Sequence, residues 1–126
     1  MLKVKIIKYI FILITFSSLF SQNIDLYFSL IEEGKVNGVK ENLPELLSRY
    51  PNDAGVLFLK ALLTSEGDSA IKQYKLILEN YPDSKFAPES AMKIGEYFYA
   101  RGLYTQSANL LKNIPLKYPR YPDMQR

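Results

Sequence analysis

The chain has 126 residues, 48% of them hydrophobic, which suffices for one domain with a single modest core. It contains no cysteine and no histidine, so disulfides, thiol nucleophiles, cysteine-based zinc sites and histidine acid–base catalysis are excluded. The net charge of +3 comes from Lys3, Lys5 and Lys8, and the remaining charges balance and are interleaved in sign. Because phosphate binding needs a basic patch, we expect no nucleic-acid binding.

The first 21 residues have the three-part form of a secretory signal peptide. Three lysines precede an apolar run from Ile10 to Phe16, and the segment Ser-Ser-Leu-Phe-Ser follows before Gln22. The apolar run is shorter than the roughly 20 residues that a membrane-spanning helix needs. We therefore expect cleavage after Ser21 and export to the periplasm or cell envelope. An uncleaved anchor is the alternative, and membrane association is expected only in that case.

Helical spacing of apolar residues predicts a first pair of helices between residues 22 and 51. One helix runs from Ile24 to Ile31, and turn residues follow at Gly34 and Gly38. A proline inside a helix costs about 3 kcal/mol. We therefore expect the second helix to be short, to begin near Pro44 and to use Asn42 as its N-cap.

A second pair is predicted between residues 52 and 83. Ala54 to Leu63 is almost entirely apolar, which indicates a helix buried on most of its circumference. Glu66, Gly67 and Asp68 are expected to form the turn. The next helix should stop at Tyr81, since the residue before a proline is disfavoured in helical conformation. Its apolar stripe consists of Ala70, Ile71, Tyr74, Ile77, Leu78 and Tyr81.

The third pair is the most regular. Ser84 to Arg101 reads as one helix, capped by Ser84, with Pro88 in its first turn and Gly102 as a left-handed stop. A partner helix follows, which Pro115 should kink or shorten. Its stripe is Ser107, Ala108, Leu111, Ile114 and Tyr118. Residues 120–126 show no periodicity and are predicted to form a disordered tail.

Two landmarks repeat along the chain at a similar period. Tyr-Pro recurs at residues 50/51, 81/82 and 118/119, and turn glycines recur at positions 34, 67 and 102. Self-similarity at this period is typical of a solenoid of stacked helix pairs. We therefore predict an all-α fold of about three antiparallel helix pairs spanning residues 22–119.

These residues resemble the tetratricopeptide repeat (TPR), whose first helix carries a large residue, an aliphatic-Gly pair and an aromatic, and whose second carries Ala, an aromatic and a terminal Pro. The last unit matches at Ala91, Ile94, Gly95, Phe98, Ser107, Leu111 and Pro119. The middle unit matches at Ala70, Tyr74 and Pro82, but has Phe58 where glycine is expected. The first unit matches only at Val39, Leu43 and Pro51.

The stretch from Tyr81 to Tyr104 is similar to a narrower subset, the repeats of exported bacterial envelope proteins such as the Tol-Pal-associated coordinator and the outer-membrane-assembly lipoprotein. The resemblance implies protein scaffolding at the cell envelope and an exported location. The chain departs from the lipoprotein branch because it has no cysteine for lipid attachment.

A stack of helix pairs has a concave face that binds extended peptides or partner helices. If Ala91, Ile94 and Phe98 pack inward, the other side of the helix turns toward this groove. The candidate contacts for a protein or peptide partner are Met92, Glu96 and Tyr99. The alternative is that the aromatic residues only fill space between helices. A second functional hypothesis is a membrane-anchored structural or oligomerisation module, the N-terminal part of a larger envelope assembly.

No catalytic site is expected. The carboxylates of Glu32 and Glu33 diverge on a helix, and Asp83, Glu89 and Glu96 are spaced along a surface that should be hydrated. The glycine pattern does not form a phosphate-binding loop. We therefore predict a non-enzymatic protein that needs no metal or cofactor.

Overall fold

The computed structural model describes residues 2–121, except for the side chains of residues 10–22. The described residues contain no strand and form six α-helices, which confirms the all-α class. They are α1 (Leu2–Glu32), α2 (Val36–Arg49), α3 (Ala54–Leu63), α4 (Gly67–Asn80), α5 (Phe86–Ala100) and α6 (Tyr104–Lys117). The chain divides into two compact units, residues 1–42 and 43–126. The predicted tail lies outside the described residues from position 122 onward.

In the first unit, α1 runs without interruption through the predicted cleavage point after residue 21. It ends in a left-handed Gly34 with φ of 80°, where the backbone N–H of Lys35 donates to the carbonyl of Leu30 at 2.8 Å. The side chains of the predicted apolar run lie outside the described residues. Among the residues that are described, none of the helices is long and apolar enough to span a bilayer.

The predicted short helix at Pro44 is wrong, because α2 begins at Val36 and passes through Pro44. The carbonyl that loses its helical partner belongs to Lys40, and both residues face solvent, where water can satisfy the oxygen. Asn42 is not an N-cap. Its side-chain amide donates to the Gly38 carbonyl one turn earlier, at 2.8 Å.

The turn before α4 also differs from the prediction. Gly67 is the first helical residue, and the Glu66 carboxylate caps the helix by accepting the backbone N–H groups of Asp68 and Ser69 at 3.0 and 2.7 Å. The pKa of the Glu66 carboxyl is lowered mainly by a hydrogen bond from the Ser69 side chain, and next by one from the Ser69 backbone. A Cβ at Gly67 would lie 2.6 Å from the ring of Tyr97. This glycine therefore serves close packing and not a left-handed turn.

The predicted helix starts and stops in the rest of the second unit agree closely with the structure. α3 is capped by Asp53, whose carboxylate accepts the N–H of Val56 at 3.0 Å. The Ser84 hydroxyl accepts the N–H of Phe86 at 3.1 Å, so α5 begins two residues later than predicted. Gly102 has φ of 75° and ends α5 as expected. α6 contains Pro115 and ends two residues after it.

An aromatic cluster joins three segments of the second unit. Phe58 of α3 is 3% exposed, and its ring centroid lies 5.5 Å from that of Tyr74 in α4 and 5.4 Å from that of Phe86 at the start of α5. Offset and tilted rings at these separations attract one another beyond the area that they bury. The predicted burial of α3 is confirmed, and its buried residues are Gly55, Val56, Phe58, Leu59 and Ala61.

α5 is the central helix of this unit, because it packs against α3, α4 and α6. Its contact with α6 depends on Gly95, where an added Cβ would lie 2.5 Å from a terminal methyl carbon of Leu111. The buried hydroxyl of Ser107 donates to the Gly95 carbonyl at 2.8 Å. A glycine and a small polar residue thus allow the two backbones to approach closely, which fixes the position of the exposed side of α5.

Candidate interaction surface on α5

One side of α5 is partly exposed. Ala91 and Ile94 are buried, while Met92 is half-buried and Glu96 and Tyr99 are exposed. Since residues three or four apart share one side of a helix, Met92, Glu96 and Tyr99 form a continuous row. We call this row the α5 face. The structure therefore brings the three predicted contact residues together, and their binding role stays a prediction.

Tyr99 has an aromatic partner that the sequence did not single out. It is 65% exposed, and its ring meets the ring of Tyr104 at a centroid distance of 5.2 Å and an interplanar angle of 66°. Tyr104 is 62% exposed, and the neighbouring Leu103 is also exposed. The left-handed Gly102 produces this arrangement by reversing the chain between the two tyrosines.

Charges of both signs lie on the same side. The Lys93 ammonium is 3.0 Å from the Glu96 carboxylate, and both side chains are about half exposed. Exposed pairs of this kind contribute at most about 1 kcal/mol to stability. Both groups therefore remain available to a partner at little cost.

Tyr97 and Tyr74 have roles in the packing of the fold. The hydroxyl of Tyr97 donates to the Asp68 carboxylate, and this hydrogen bond is the main cause of its raised pKa. Burial, with a smaller effect of the Glu96 charge, raises the pKa of Tyr74 to about 12. The predicted alternative, that aromatic residues of α5 fill space between helices, describes Tyr97, which also covers Gly67. Phe98 is half-buried and Tyr99 is exposed, and for Tyr99 the choice between packing and binding stays a prediction.

A cleft of about 800 Å³ lies where the start of α5 approaches the end of α6. The second and third Tyr-Pro motifs meet there, which sequence reasoning did not anticipate. Its lining residues are Pro82, Asp83, Ser84, Lys85, Pro88, Glu89, Lys117, Tyr118, Pro119, Arg120 and Tyr121. The hydroxyl of Tyr118 is buried without a hydrogen-bond partner. Burial, followed by the charges of Glu89 and Glu96, raises the pKa of Tyr121.

Glu89 is expected to lower stability at neutral pH. Burial raises its pKa above 4.5, partly offset by the charges of Lys85 and Lys93. The folded state therefore favours the neutral acid, and its ionisation costs stability as the pH rises above 4.5. Thermal unfolding of Glu89→Gln should show a higher midpoint than wild type at neutral pH and no difference well below pH 4.5. The exposed Glu79→Gln is the control, and an equal gain there would assign the effect to net charge.

Within residues 2–121, apart from the undescribed side chains, no group of three or more acidic side chains could hold a metal ion. Comparison of the chain with protein-family models, with curated proteins and with solved structures gave no match.

Proposed function

We propose that this chain is a short TPR-like interaction module of the bacterial cell envelope, which binds a peptide or a partner helix on the α5 face without catalysing a reaction. The observation that carries the proposal is that α5 is packed on one side and exposed on the other. Three helices bury its inner side, while the row ending in Tyr99 is open to solvent. A helix held from three sides presents its free row rigidly, so little conformational entropy is lost on binding.

The TPR assignment is supported by the packing at the matched positions. Gly95 and Ser107 allow the close approach of α5 and α6, and Leu111 lies against Gly95. In α4 the matched residues Ala70 and Tyr74 are buried. Phe58 departs from the pattern, which has glycine at this position. Its ring packs against the rings of Tyr74 and Phe86.

Each residue of the α5 face has a distinct use in binding. Tyr99 offers a broad apolar ring with a polar end, and its contact with Tyr104 holds that ring in place before a partner arrives. Glu96 and Lys93 can each exchange their mutual contact for an ion pair with the partner. Met92 is flexible and fits different apolar side chains. We infer an extended or helical peptide that carries an apolar residue and charged neighbours.

We infer export from the signal-like first 21 residues, which support a location in the periplasm or envelope. The membrane-anchored structural or oligomerisation module remains the second candidate. Mass spectrometry of the exported protein distinguishes the two. A chain that begins near Gln22 supports the released module, and an intact Met1 end supports the anchor.

Photocrosslinking in cells tests the binding site. A crosslinking amino acid at Tyr99 should capture a discrete protein partner, and Glu96→Lys should reduce the adduct severalfold, since a reversed charge opposes the partner's complementary group. The control probe replaces Lys72, which is exposed on α4. Adducts from position 72 with none from position 99 would contradict the site assignment.

A further inference from the structure

α6 carries a row of residues beside its buried stripe. The equivalent row on α4 lies against the helix that follows. The two helices have equivalent buried positions 37 residues apart, since Ala70 corresponds to Ser107 and Ile77 to Ile114, and all four are buried. Each helix also ends at a Tyr-Pro pair. α4 therefore shows how the equivalent surface of α6 would look when another helix packs on it.

On α4, the helix that follows covers the row that begins at Gly67. Tyr97 of α5 lies against Gly67 and bonds Asp68, and Ile71, one turn further along, is 7% exposed. A rotation of 100° per residue places Gly67, Ile71 and Leu78 on one side of α4. The incoming helix thus lies against the start of a row beside the stripe that faces α3, and this row is buried at Ile71 and half-buried at Gly67 and Leu78.

The equivalent row on α6 is open within the described residues. It consists of Tyr104, Ala108 and Pro115, and all three are exposed. Leu111, which lies between this row and the buried stripe, is half-buried. We call Tyr104, Ala108 and Pro115 the α6 row, and Leu111 belongs to the contact with Gly95 of α5. Its members are apolar or aromatic, and the small Ala108 at its centre allows another backbone to approach closely.

The stretch of sequence that contains α6 carries charge of one sign. Between Tyr97 and Tyr121 the chain contains four basic side chains, those of Arg101, Lys112, Lys117 and Arg120, and no carboxylate. This corrects the expectation that charges are interleaved throughout the folded region. Lys112 is exposed and lies four positions from Ala108, so it flanks the row, whereas Lys117 lies on the opposite side of α6 near the ring of Tyr118. An acidic group on an occupant would find a complementary charge there.

We propose that the α6 row is the docking site for an amphipathic α-helix of a partner protein, with small or aliphatic residues on its apolar stripe and acidic residues along the adjoining flank. The packing of α5 on α4 argues for a helical occupant, and the exposed Lys112 beside the row argues for an acidic flank. This surface is separate from the α5 face, and the two meet only at the contact between Tyr99 and Tyr104.

The test uses the full chain and two synthetic capped peptides. Both form helices with an alanine-leucine stripe, and they differ only in glutamate or lysine flanks. Fluorescence anisotropy should show binding of the glutamate peptide that is roughly tenfold or more tighter than binding of the lysine peptide. Ala108→Glu should weaken it by a similar factor. Asn109→Glu introduces the same charge on the adjacent, outward position and should change the affinity less than about twofold.

Several results would overturn the proposal. Equal losses in Ala108→Glu and Asn109→Glu would show attraction by net charge without a defined row. Binding to phosphatidylglycerol vesicles that Ala108→Glu abolishes, with no peptide binding, would assign the row to a membrane surface. Sedimentation that shows a wild-type dimer and a monomeric Ala108→Glu would assign it to a second copy. Unchanged circular dichroism of both variants establishes that they are folded.

Discussion

Phe58→Ala is expected to destabilise the chain by about 4 kcal/mol, in the range measured when a buried phenylalanine is truncated to alanine. The ring is 3% exposed and touches aromatic partners from α4 and from the start of α5, so its removal loosens three segments together. Collapse around the cavity is restricted because Leu59 and Val56 are fully buried beside it in sequence.

Urea unfolding monitored by circular dichroism measures this loss. Phe58→Leu, which retains most of the apolar volume, should cost less than half as much. Phe28, which is half-buried in the other compact unit, provides the comparison Phe28→Ala with a smaller expected loss. A cost near 1 kcal/mol or less for Phe58→Ala would show that this aromatic cluster does not hold the helices together.

Gly95→Val is expected to cost about 2–3 kcal/mol, the upper range for overpacking a well-packed contact. The first carbon of any side chain would lie 2.5 Å from one methyl carbon of Leu111 and 2.9 Å from its Cγ atom. Separation of α5 and α6 to relieve this clash would also stretch the buried hydrogen bond from Ser107 to the Gly95 carbonyl.

A double-mutant cycle tests this cause. In a Leu111→Ala background, Gly95→Val should cost less than about 1 kcal/mol, because the truncated side chain leaves room for the valine. Gly38→Ala is the control for general effects of replacing a helical glycine. No atom lies within 4 Å of a Cβ at this position, so this variant should be neutral or slightly stabilising. Additive costs at positions 95 and 111 would refute the proposed contact.

The sequence predicted the features that depend on local chemistry. Proline and serine marked the start of α5, and Gly102 marked its end through its left-handed backbone. The side of α5 that carries Met92, Glu96 and Tyr99 followed from helical periodicity alone. Each of these predictions depends on residues within one or two turns of one another, where sequence patterns are most informative.

The features that sequence reasoning missed depend on residues that are distant from one another in the chain. Gly67 was assigned to a turn, but its role is to accommodate Tyr97, which is 30 positions away. Pro44 was predicted to start a helix, but its exposed position in α2 makes the lost hydrogen bond tolerable. The contact of Tyr104 with Tyr99 needed the actual path of the chain around Gly102. No local sequence pattern predicts the cleft near the second and third Tyr-Pro motifs.

The most direct test of the account is the reactivity of individual tyrosines toward nitration, read by peptide mass spectrometry on the folded chain. The account predicts rapid modification of Tyr99 and Tyr104, which are more than 60% exposed, and very slow modification of Tyr74, which is 5% exposed. Tyr74 should react only when denaturant unfolds the helices. Nitration of Tyr74 as fast as of Tyr99 in the native protein would contradict the helix packing that makes the α5 face a surface for binding.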